Sequence, residues 1–215
     1  MKIYSGYLAG VFALAVAGMI GPMASVSFAE ETPDPHAHHR MAPETSRRMA
    51  EYTVPQVSLM REDGKTVSLP EELNDGRPVV LSFIFTTCTA ICPVISHTLS
   101  QLQNKLGTDR DRVRLASISI DPEQDTPAQL AAYARKYGAG PEWRHYTGTL
   151  SASVTTQRAF DVYRGNKMSH SPVTLLRAAP GKPWVRIEGF ATADDLLAEI
   201  RNMLASNESP RADVR

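Results

Sequence analysis

Cysteine is scarce in this chain, with two residues among 215, so any disulfide or dithiol chemistry depends on one pair. Net charge is also absent, because 23 Lys and Arg residues balance 23 Asp and Glu residues that are interspersed with them. The sequence contains neither a basic stripe nor a cluster of aromatic and Arg residues, which argues against nucleic acid as a partner. No internal repeat is found, and about 160 residues remain after the amino-terminal region, which is the size of one domain with one core.

Long apolar runs are limited to the amino terminus. The segment Leu8 to Ile20 is apolar and uncharged, but it is shorter than the roughly 20 residues that a membrane span needs. With Lys2 before it and Ser27-Phe28-Ala29 after it, it is typical of a secretory signal. We predict a signal peptide over residues 1–29, cleaved near Ala29, or else an inner-membrane anchor formed by residues 4–28. Either arrangement predicts a periplasmic or otherwise extracytoplasmic protein, in a compartment where thiols can form a disulfide.

The residues after this signal divide into three predicted parts. Residues 30–52 are rich in Pro, His, Glu and Arg and are predicted to form a flexible tether. Residues 53–206 are predicted to form the folded domain, and residues 207–215 a disordered tail. The tether carries His36, His38 and His39, which predict an accessory site that binds Cu(II) or Zn(II) loosely and passes it on. The alternative is a solvated segment with incidental histidines.

The folded domain is predicted to alternate strands and helices. Asp63-Gly64 lies between two alternating runs and indicates a β-hairpin. Residues 78–85 are apolar on both faces, as expected of a central strand. The predicted strands are 54–59, 66–69, 78–85, 113–120, 173–177 and 184–188. The predicted helices are 92–106, 127–137, 151–163 and 192–205. This order predicts an α/β protein of the thioredoxin-like class, with a central mixed sheet flanked by helices and an N-terminal β-hairpin.

The thiol pair follows the first central strand, in the segment Thr-Thr-Cys88-Thr-Ala-Ile-Cys92-Pro. Open α/β sheets bind ligands at this carboxyl end of their strands. Residues four apart in a helical turn share a face, and Cys92 lies near a helix amino terminus, where the dipole favours a thiolate. The Cys-x-x-x-Cys spacing favours metal over ordinary dithiol exchange, and thiolates select Cu(I). A buried, inert pair is the alternative, which the small and polar neighbours disfavour.

With only two cysteines, a third metal ligand must come from elsewhere. His170 stands directly before the strand predicted at 173–177, and in a thioredoxin-like sheet that loop lies beside the cysteine helix. Two thiolates and one imidazole make a trigonal copper site. Ser171-Pro172 is a candidate for the cis proline of such folds. His97 is predicted to be a surface residue, and His145 is predicted to lie in a loop without a role.

Three motifs in this sequence resemble those of a known protein family. The segments Phe85-Thr-Thr-Cys88-Thr-Ala-Ile-Cys92-Pro, Ser119-Ile-Asp121-Pro-Glu-Gln-Asp125-Thr-Pro and His170-Ser before a strand resemble the Sco/SenC family over residues 54–205. That family comprises copper-binding, thioredoxin-fold factors that assemble cytochrome c oxidase. The resemblance implies Cys88, Cys92 and His170 as copper ligands, and Asp121 and Asp125 as groups that support the ligands or order their loop.

Two positions depart from the family pattern. The family often has an aspartate directly before the histidine, where this chain has Ser169, so a carboxylate that orients the imidazole is missing. Pro172 follows the His-Ser pair, as in other thioredoxin-like proteins. Both departures leave room for an altered metal affinity or a stronger redox role.

Two functions follow from this reading. The first is an extracytoplasmic copper chaperone that binds Cu(I) or Cu(II) and delivers copper to the copper-site subunit of cytochrome c oxidase, with other periplasmic copper chaperones as possible partners. The second is a thiol-disulfide oxidoreductase in which Cys88 and Cys92 are the redox pair that reduces the cysteines of that subunit. A peroxiredoxin-type peroxidase is a less favoured hypothesis, because no arginine that could activate a thiol stands near the cysteines in sequence.

Overall fold

The structure, a computed structural model, describes residues 45–208. The predicted signal or anchor at residues 1–29, the tether histidines His36, His38 and His39, and the tail from residue 209 onward lie outside this range. Among residues 45–208, no helix is both long enough and apolar enough to span a membrane.

A single eight-stranded mixed sheet forms the centre of the domain, in the order β1-β8-β7-β4-β5-β6-β2-β3. Strands β4, β5 and β6 are parallel, and the remaining pairings are antiparallel. The strands are β1 (Ser46–Ala50), β2 (Ser58–Arg61), β3 (Thr66–Ser68), β4 (Val79–Ile84), β5 (Arg114–Ser119), β6 (Trp143–Thr147), β7 (Val173–Arg177) and β8 (Trp184–Glu188). The predicted mixed sheet and the β2–β3 hairpin are thereby confirmed.

Five α-helices and two described 3₁₀ turns complete the domain. The helices are α1 (Leu69–Leu73), α2 (Ile91–Leu106), α3 (Pro127–Lys136), α4 (Leu150–Ala159) and α5 (Ala193–Glu208), and the 3₁₀ turns are Gly107–Arg112 and Lys167–Ser169. The helices predicted at 92–106, 127–137 and 192–205 are confirmed within a few residues at each end. The helix predicted at 151–163 ends earlier, at Ala159.

The apolar pattern of β4 explains its central position. All six of its residues are buried, and their side chains alternate between the two faces of the sheet. Val80 packs in the cluster formed with α2 and α5, whereas Leu81 and Phe83 pack in the opposite cluster with α1 and α4. Burial of each large apolar side chain contributes roughly 1.5–3 kcal/mol, so both faces of β4 stabilise the strand that leads to the thiols.

Local signals fix the ends of the helices next to the thiols. Thr126 and Gln129 form the predicted capping box at the start of α3, where Gln129 N–H donates to Thr126 Oγ1 at 3.3 Å and Thr126 N–H donates to Gln129 Oε1 at 2.8 Å. Gly107 has a φ of 56° at the end of α2, a left-handed conformation that glycine adopts readily. These caps hold α2 and α3 in the positions from which they flank the thiol pair.

Four predictions about element positions were wrong. The first strand of the hairpin, predicted at 54–59, is Ser58–Arg61, and residues 207 and 208, predicted to begin the disordered tail, end α5. Residues 46–50, predicted to belong to the flexible tether, form β1 and pair with β8, and Arg47 also forms an ion pair with Glu199 of α5. His145, predicted to lie in a loop, is a fully buried residue of β6. Both strands are held by tertiary pairing, which their own mixed polar sequences do not reveal.

Candidate metal and thiol site

The two cysteines lie where β4 passes into α2. We call residues 85–90 the thiol loop; Cys88 N–H donates to the carbonyl of Phe85 at 3.1 Å, which turns the chain into the helix. Both thiols are free. Cys88 is half-buried, and Cys92, in the first turn of α2, is fully buried. The pair therefore presents one sulfur toward the surface and one toward the core.

The helix amino terminus acts on Cys88. Cys92 N–H donates to Cys88 Sγ at 3.4 Å. Burial opposes ionisation and is the largest single influence, but hydrogen bonds from Cys92 and from the N–H groups of Ala90 and Ile91 outweigh it and lower the pKa of the Cys88 thiol. We predicted from the sequence that the helix terminus would favour a thiolate at Cys92, and the structure places its donors on Cys88 instead.

The Cys92 thiol has the opposite character. Burial raises the pKa of Cys92 far above its ordinary value, and the nearby Cys88 sulfur and Asp125 raise it further, against a main-chain hydrogen bond from Phe85. Tyr133 of α3 donates from its hydroxyl to the carbonyl of Cys92 at 3.4 Å. The two sulfurs are thus chemically distinct, with Cys88 the one that ionises more readily.

The carboxylate of Asp125 forms hydrogen bonds with Thr86 in the thiol loop. This fully buried carboxylate accepts hydrogen bonds from Thr86 N–H at 3.1 Å, from the Thr86 hydroxyl at 2.5 Å and from the Ser119 hydroxyl at 2.6 Å. It belongs to residues 120–126, which we call the acidic loop, between β5 and α3. Asp125 therefore fixes the position of Thr86, at the start of the thiol loop.

His170 approaches the same end of β4 from another direction. It ends the segment of residues 161–170, which we call the histidine loop, and its side chain is 9% exposed. The Nε2 atom lies 3.0 Å from the carbonyl oxygen of Phe83. Because a carbonyl only accepts, Nε2 carries the proton and Nδ1 keeps a free lone pair. Burial lowers the pKa of His170, with a smaller contribution from Arg164 and against the hydrogen bond to Phe83, and the lowered pKa favours the neutral ring near pH 7.

The Phe83 carbonyl is the group that orients the His170 ring. Ser169 stands where that aspartate is expected, and the ring is oriented by a main-chain acceptor of β4 instead. Ligating imidazoles commonly donate their second ring N–H to a carbonyl or carboxylate, which fixes the tautomer. The sheet therefore supplies the acceptor that orients the His170 ring.

Asp121 ties the acidic loop to the histidine loop. Its carboxylate accepts a hydrogen bond from Lys167 Nζ at 2.5 Å, and Lys167 Nζ also lies 5.6 Å from the centroid of the Phe85 ring. Lys167 was not singled out in the sequence, although a lysine three residues before a candidate ligand and an acidic loop elsewhere were visible signals. An open pocket of about 460 Å³ lies beside this ion pair and is lined in part by His170, Asp121 and Arg164.

The predicted ligands all lie on segments that contact β4, but they do not form a metal site. Across residues 45–208, no group of three or more His, Cys, Asp or Glu side chains is arranged to hold a metal ion. The donor set nevertheless fits copper by its chemistry: two reduced thiols suit Cu(I), and a neutral imidazole with a free Nδ1 suits Cu(II). Cys88 and Cys92 lie together, and His170 is anchored two residues back along β4. His97 is an exposed residue of α2, as predicted.

Known proteins resemble this chain over the whole described domain. The sequence model of the SCO1/SenC family matches residues 45–205. The SCO1 protein homolog of Bacillus subtilis (strain 168) is 39% identical over 104 residues, which are 48% of this chain and 53% of that protein. This chain therefore matches about half the length of that relative.

Solved structures share the fold. A crystal structure of Arabidopsis thaliana ScoI with copper bound has 27% identity and a TM-score of 0.60, over 72% of this chain and 99% of that one. BsSco, described as a member of the Sco family of cytochrome c oxidase assembly proteins, has 28% identity and a TM-score of 0.62, over 74% and 96% of the two chains. The predicted thioredoxin-like fold class is confirmed.

Proposed function

Because the chain belongs to the SCO1/SenC family, we propose that it is an extracytoplasmic copper chaperone that delivers copper to the copper centre of cytochrome c oxidase during assembly. Its proposed ligands are Cys88, Cys92 and His170. One observation carries this proposal: two reduced thiols and a neutral imidazole with a free Nδ1 are all anchored at the carboxyl end of β4. The copper-bound ScoI structure and the oxidase assembly role described for BsSco support it.

The cargo is expected to meet Cys88 first, because that sulfur is the more exposed of the two and its pKa is lowered. Cys92 must lose its proton before it binds, since the thiolate is the ligand, and burial raises the pKa of Cys92. Copper uptake therefore releases protons and becomes stronger as pH rises. Release to the copper-site subunit of the oxidase is a ligand exchange in which incoming thiolate, His or Met donors replace the three ligands in turn.

The test is the copper affinity of a His170→Ala variant on the chain from Glu30 onward. We expect the thiolate-to-copper absorption of the Cu(II) form to be lost or strongly weakened. His97→Ala is the matched control, because His97 is exposed on α2 and bonds to Gln101. Unchanged Cu(II) binding and absorption in His170→Ala would show that the proposed ligand set is wrong.

A second candidate function is thiol-disulfide exchange with the cysteines of the oxidase copper site. The asymmetry of the pair favours it: Cys88 is half-exposed and has a lowered pKa, whereas Cys92 is buried and has a raised pKa. The Cys88 thiolate would attack a target disulfide and release one target thiolate. Cys92 would then pass its proton to the departing group and attack Cys88, which leaves a Cys88–Cys92 disulfide and a fully reduced target.

Substitution of His170 distinguishes the two functions. Exchange uses only the sulfurs, so His170→Ala is expected to keep its rate of disulfide reduction while losing Cu(II) binding. Substitution of either cysteine removes both activities and does not discriminate. A wild-type protein that binds copper but does not reduce disulfides would favour the chaperone alone.

Accessory copper binding by His36, His38 and His39 is part of the proposal. The test is stoichiometry: the chain from Glu30 onward is expected to bind more Cu(II) than a triple His→Ala variant, with the thiolate absorption of the main site unchanged. Equal stoichiometry in the two proteins would contradict the accessory site.

A further inference from the structure

Lys167 belongs to the histidine loop and contacts both the acidic loop, at Asp121, and the thiol loop, at Phe85. We propose that its ion pair with Asp121 is the joint that fixes the position of His170 relative to the two thiols. Lys167 is thus a positioning residue that acts on copper through His170, and this inference rests on the proposed copper-binding function. The following contacts carry it.

A series of hydrogen bonds, joined through the side chains of Lys167 and Asp121, runs from the main chain of His170 to the thiol loop through this ion pair. The main-chain N–H of His170 donates to the carbonyl of Lys167 at 3.1 Å, and Lys167 Nζ donates to Asp121 Oδ2 at 2.5 Å. The carbonyl of Asp121 accepts from Asp125 N–H at 2.9 Å, and the Asp125 carboxylate accepts from Thr86, at the base of the thiol loop. The Lys167–Asp121 bond joins the histidine loop to the acidic loop, and the Asp125–Thr86 bonds join the acidic loop to the thiol loop, so a shift of the histidine loop is resisted by the loop that carries Cys88.

The lysine also touches the thiol loop itself. Its ammonium group lies 5.6 Å from the centroid of the Phe85 ring, and Phe85 is the residue whose carbonyl accepts from Cys88 N–H. The Asp121 side chain is 10% exposed and that of Lys167 is 37% exposed. Because the Asp121 carboxylate is largely buried, loss of its cationic partner is also expected to cost some stability, and the His170 ring is therefore observed directly to detect a change in its position.

The consequence differs between the two oxidation states of copper. Two thiolates suffice for soft Cu(I), whereas Cu(II) depends more on the imidazole. A joint that positions His170 should therefore set Cu(II) affinity and leave Cu(I) affinity almost unchanged. Substitution of groups that orient metal ligands commonly lowers metal affinity by about 10–100-fold, and we expect the lower part of that range here.

The experiment compares Lys167→Met and Asp121→Asn with Lys105→Met. Lys105 forms a Lys–Asp pair with Asp194 at 2.7 Å, between the far end of α2 and α5, so its substitution removes the same charge and a pair of the same residue types at a more exposed position. Cu(I) and Cu(II) affinities are measured by competition with chelators, together with the thiolate-to-copper absorption of the Cu(II) form. Lys167→Arg is the conservative variant that should restore wild-type values.

A metal-free measurement accompanies the titrations. The ¹⁵N resonances of the His170 ring report the Nε2–H group bonded to Phe83, and they are expected to shift or broaden in Lys167→Met but not in Lys105→Met. The proposal is supported by this change together with an approximately tenfold loss of Cu(II) affinity, a Cu(I) change within about twofold, and recovery in Lys167→Arg.

Other results of these experiments would contradict the proposal. Unchanged His170 resonances and Cu(II) affinity in Lys167→Met overturn the proposal, as does an equal loss in Lys105→Met, which would reveal a general effect of charge. If the wild-type protein binds no copper at its cysteines, the proposed function fails, and the His170 resonances alone then decide whether Lys167 positions the ring.

Discussion

The Nε2 atom of His170 lies 3.0 Å from the carbonyl oxygen of Phe83, so a side chain of the histidine loop is fastened to the strand that delivers the thiols. This single contact determines which ring nitrogen is free. It also places the imidazole at the end of β4, where Cys88 N–H and the carbonyl of Phe85 close the next turn of the chain.

The first prediction concerns the tautomer of His170. In the metal-free protein we expect the neutral ring with its proton on Nε2 from about pH 6.5 upward, because burial lowers the pKa of His170 and the Phe83 carbonyl requires a donor. Long-range ¹H–¹⁵N NMR distinguishes the two nitrogens. A ring protonated on Nδ1, or one that titrates at or above the ordinary value of 6.5, would contradict this assignment.

The second prediction concerns the order in which the thiols react. Cys88 has a lowered pKa and is half-exposed, whereas Cys92 is buried and has a raised pKa. At pH 7, iodoacetamide should therefore modify Cys88 at least about tenfold faster than Cys92, because the thiolate is the reactive form. Peptide mapping at short times measures both rates in one sample. Equal rates, or faster modification of Cys92, would refute the assigned asymmetry.

The third prediction concerns Asp125. Replacement by Ala leaves the Thr86 N–H, the Thr86 hydroxyl and the Ser119 hydroxyl without their acceptor in the interior. We expect a loss of about 3 kcal/mol in the free energy of unfolding, measured with urea, because unsatisfied buried donors each cost about 1–3 kcal/mol. Asp195→Ala is the control: Asp195 accepts similar bonds at the exposed start of α5, and its loss should cost about 1 kcal/mol. Equal losses in both variants would show that Asp125 has no special part in ordering the loop.

The sequence allowed prediction of those strands and helices whose apolar pattern arises from burial in the core. The strands β4, β5, β7 and β8 are apolar enough to be recognised, and the cap of α3 has a local signature in Thr126 and Gln129. The strand β1 was missed because the sequence Ser-Arg-Arg-Met-Ala has no apolar period and is held by pairing with β8 and by the Arg47–Glu199 ion pair. Such tertiary contacts leave no trace in the segment itself.

The site was predictable in its chemistry and less so in its geometry. Cys88, Cys92 and His170 were proposed as ligands from motif and position, but the sequence did not indicate which thiol receives the helix donors. It also did not reveal that the main-chain carbonyl of Phe83 orients the His170 ring, since any residue can supply a carbonyl. Lys167 escaped notice because its partner lies 46 residues away in the chain.

His145 is the clearest case of a residue that sequence reasoning misread. It is fully buried on β6, between the rings of Trp143 and Tyr133 at 5.1 and 6.0 Å. Neither ring nitrogen has a hydrogen-bond partner. Burial, assisted by the nearby charge of Arg144, lowers the pKa of His145 to about 3. The native state therefore holds a neutral imidazole that the unfolded chain can protonate.

The fourth prediction follows from this difference in pKa. The unfolded chain protonates His145 near its ordinary value of 6.5 and the folded state only near 3, so stability is fully present above pH 6.5 and falls as the pH decreases through that window. Between pH 6.5 and 4.5 this residue should remove about 2 kcal/mol from the free energy of unfolding. His145→Phe retains a ring in the core without a titrating group, and the difference between its urea curves and those of the wild type isolates the effect from the carboxylates and from His170. A His145→Phe protein whose stability falls over this range as steeply as that of the wild type would show that His145 is already protonated, or already hydrated, in the native state.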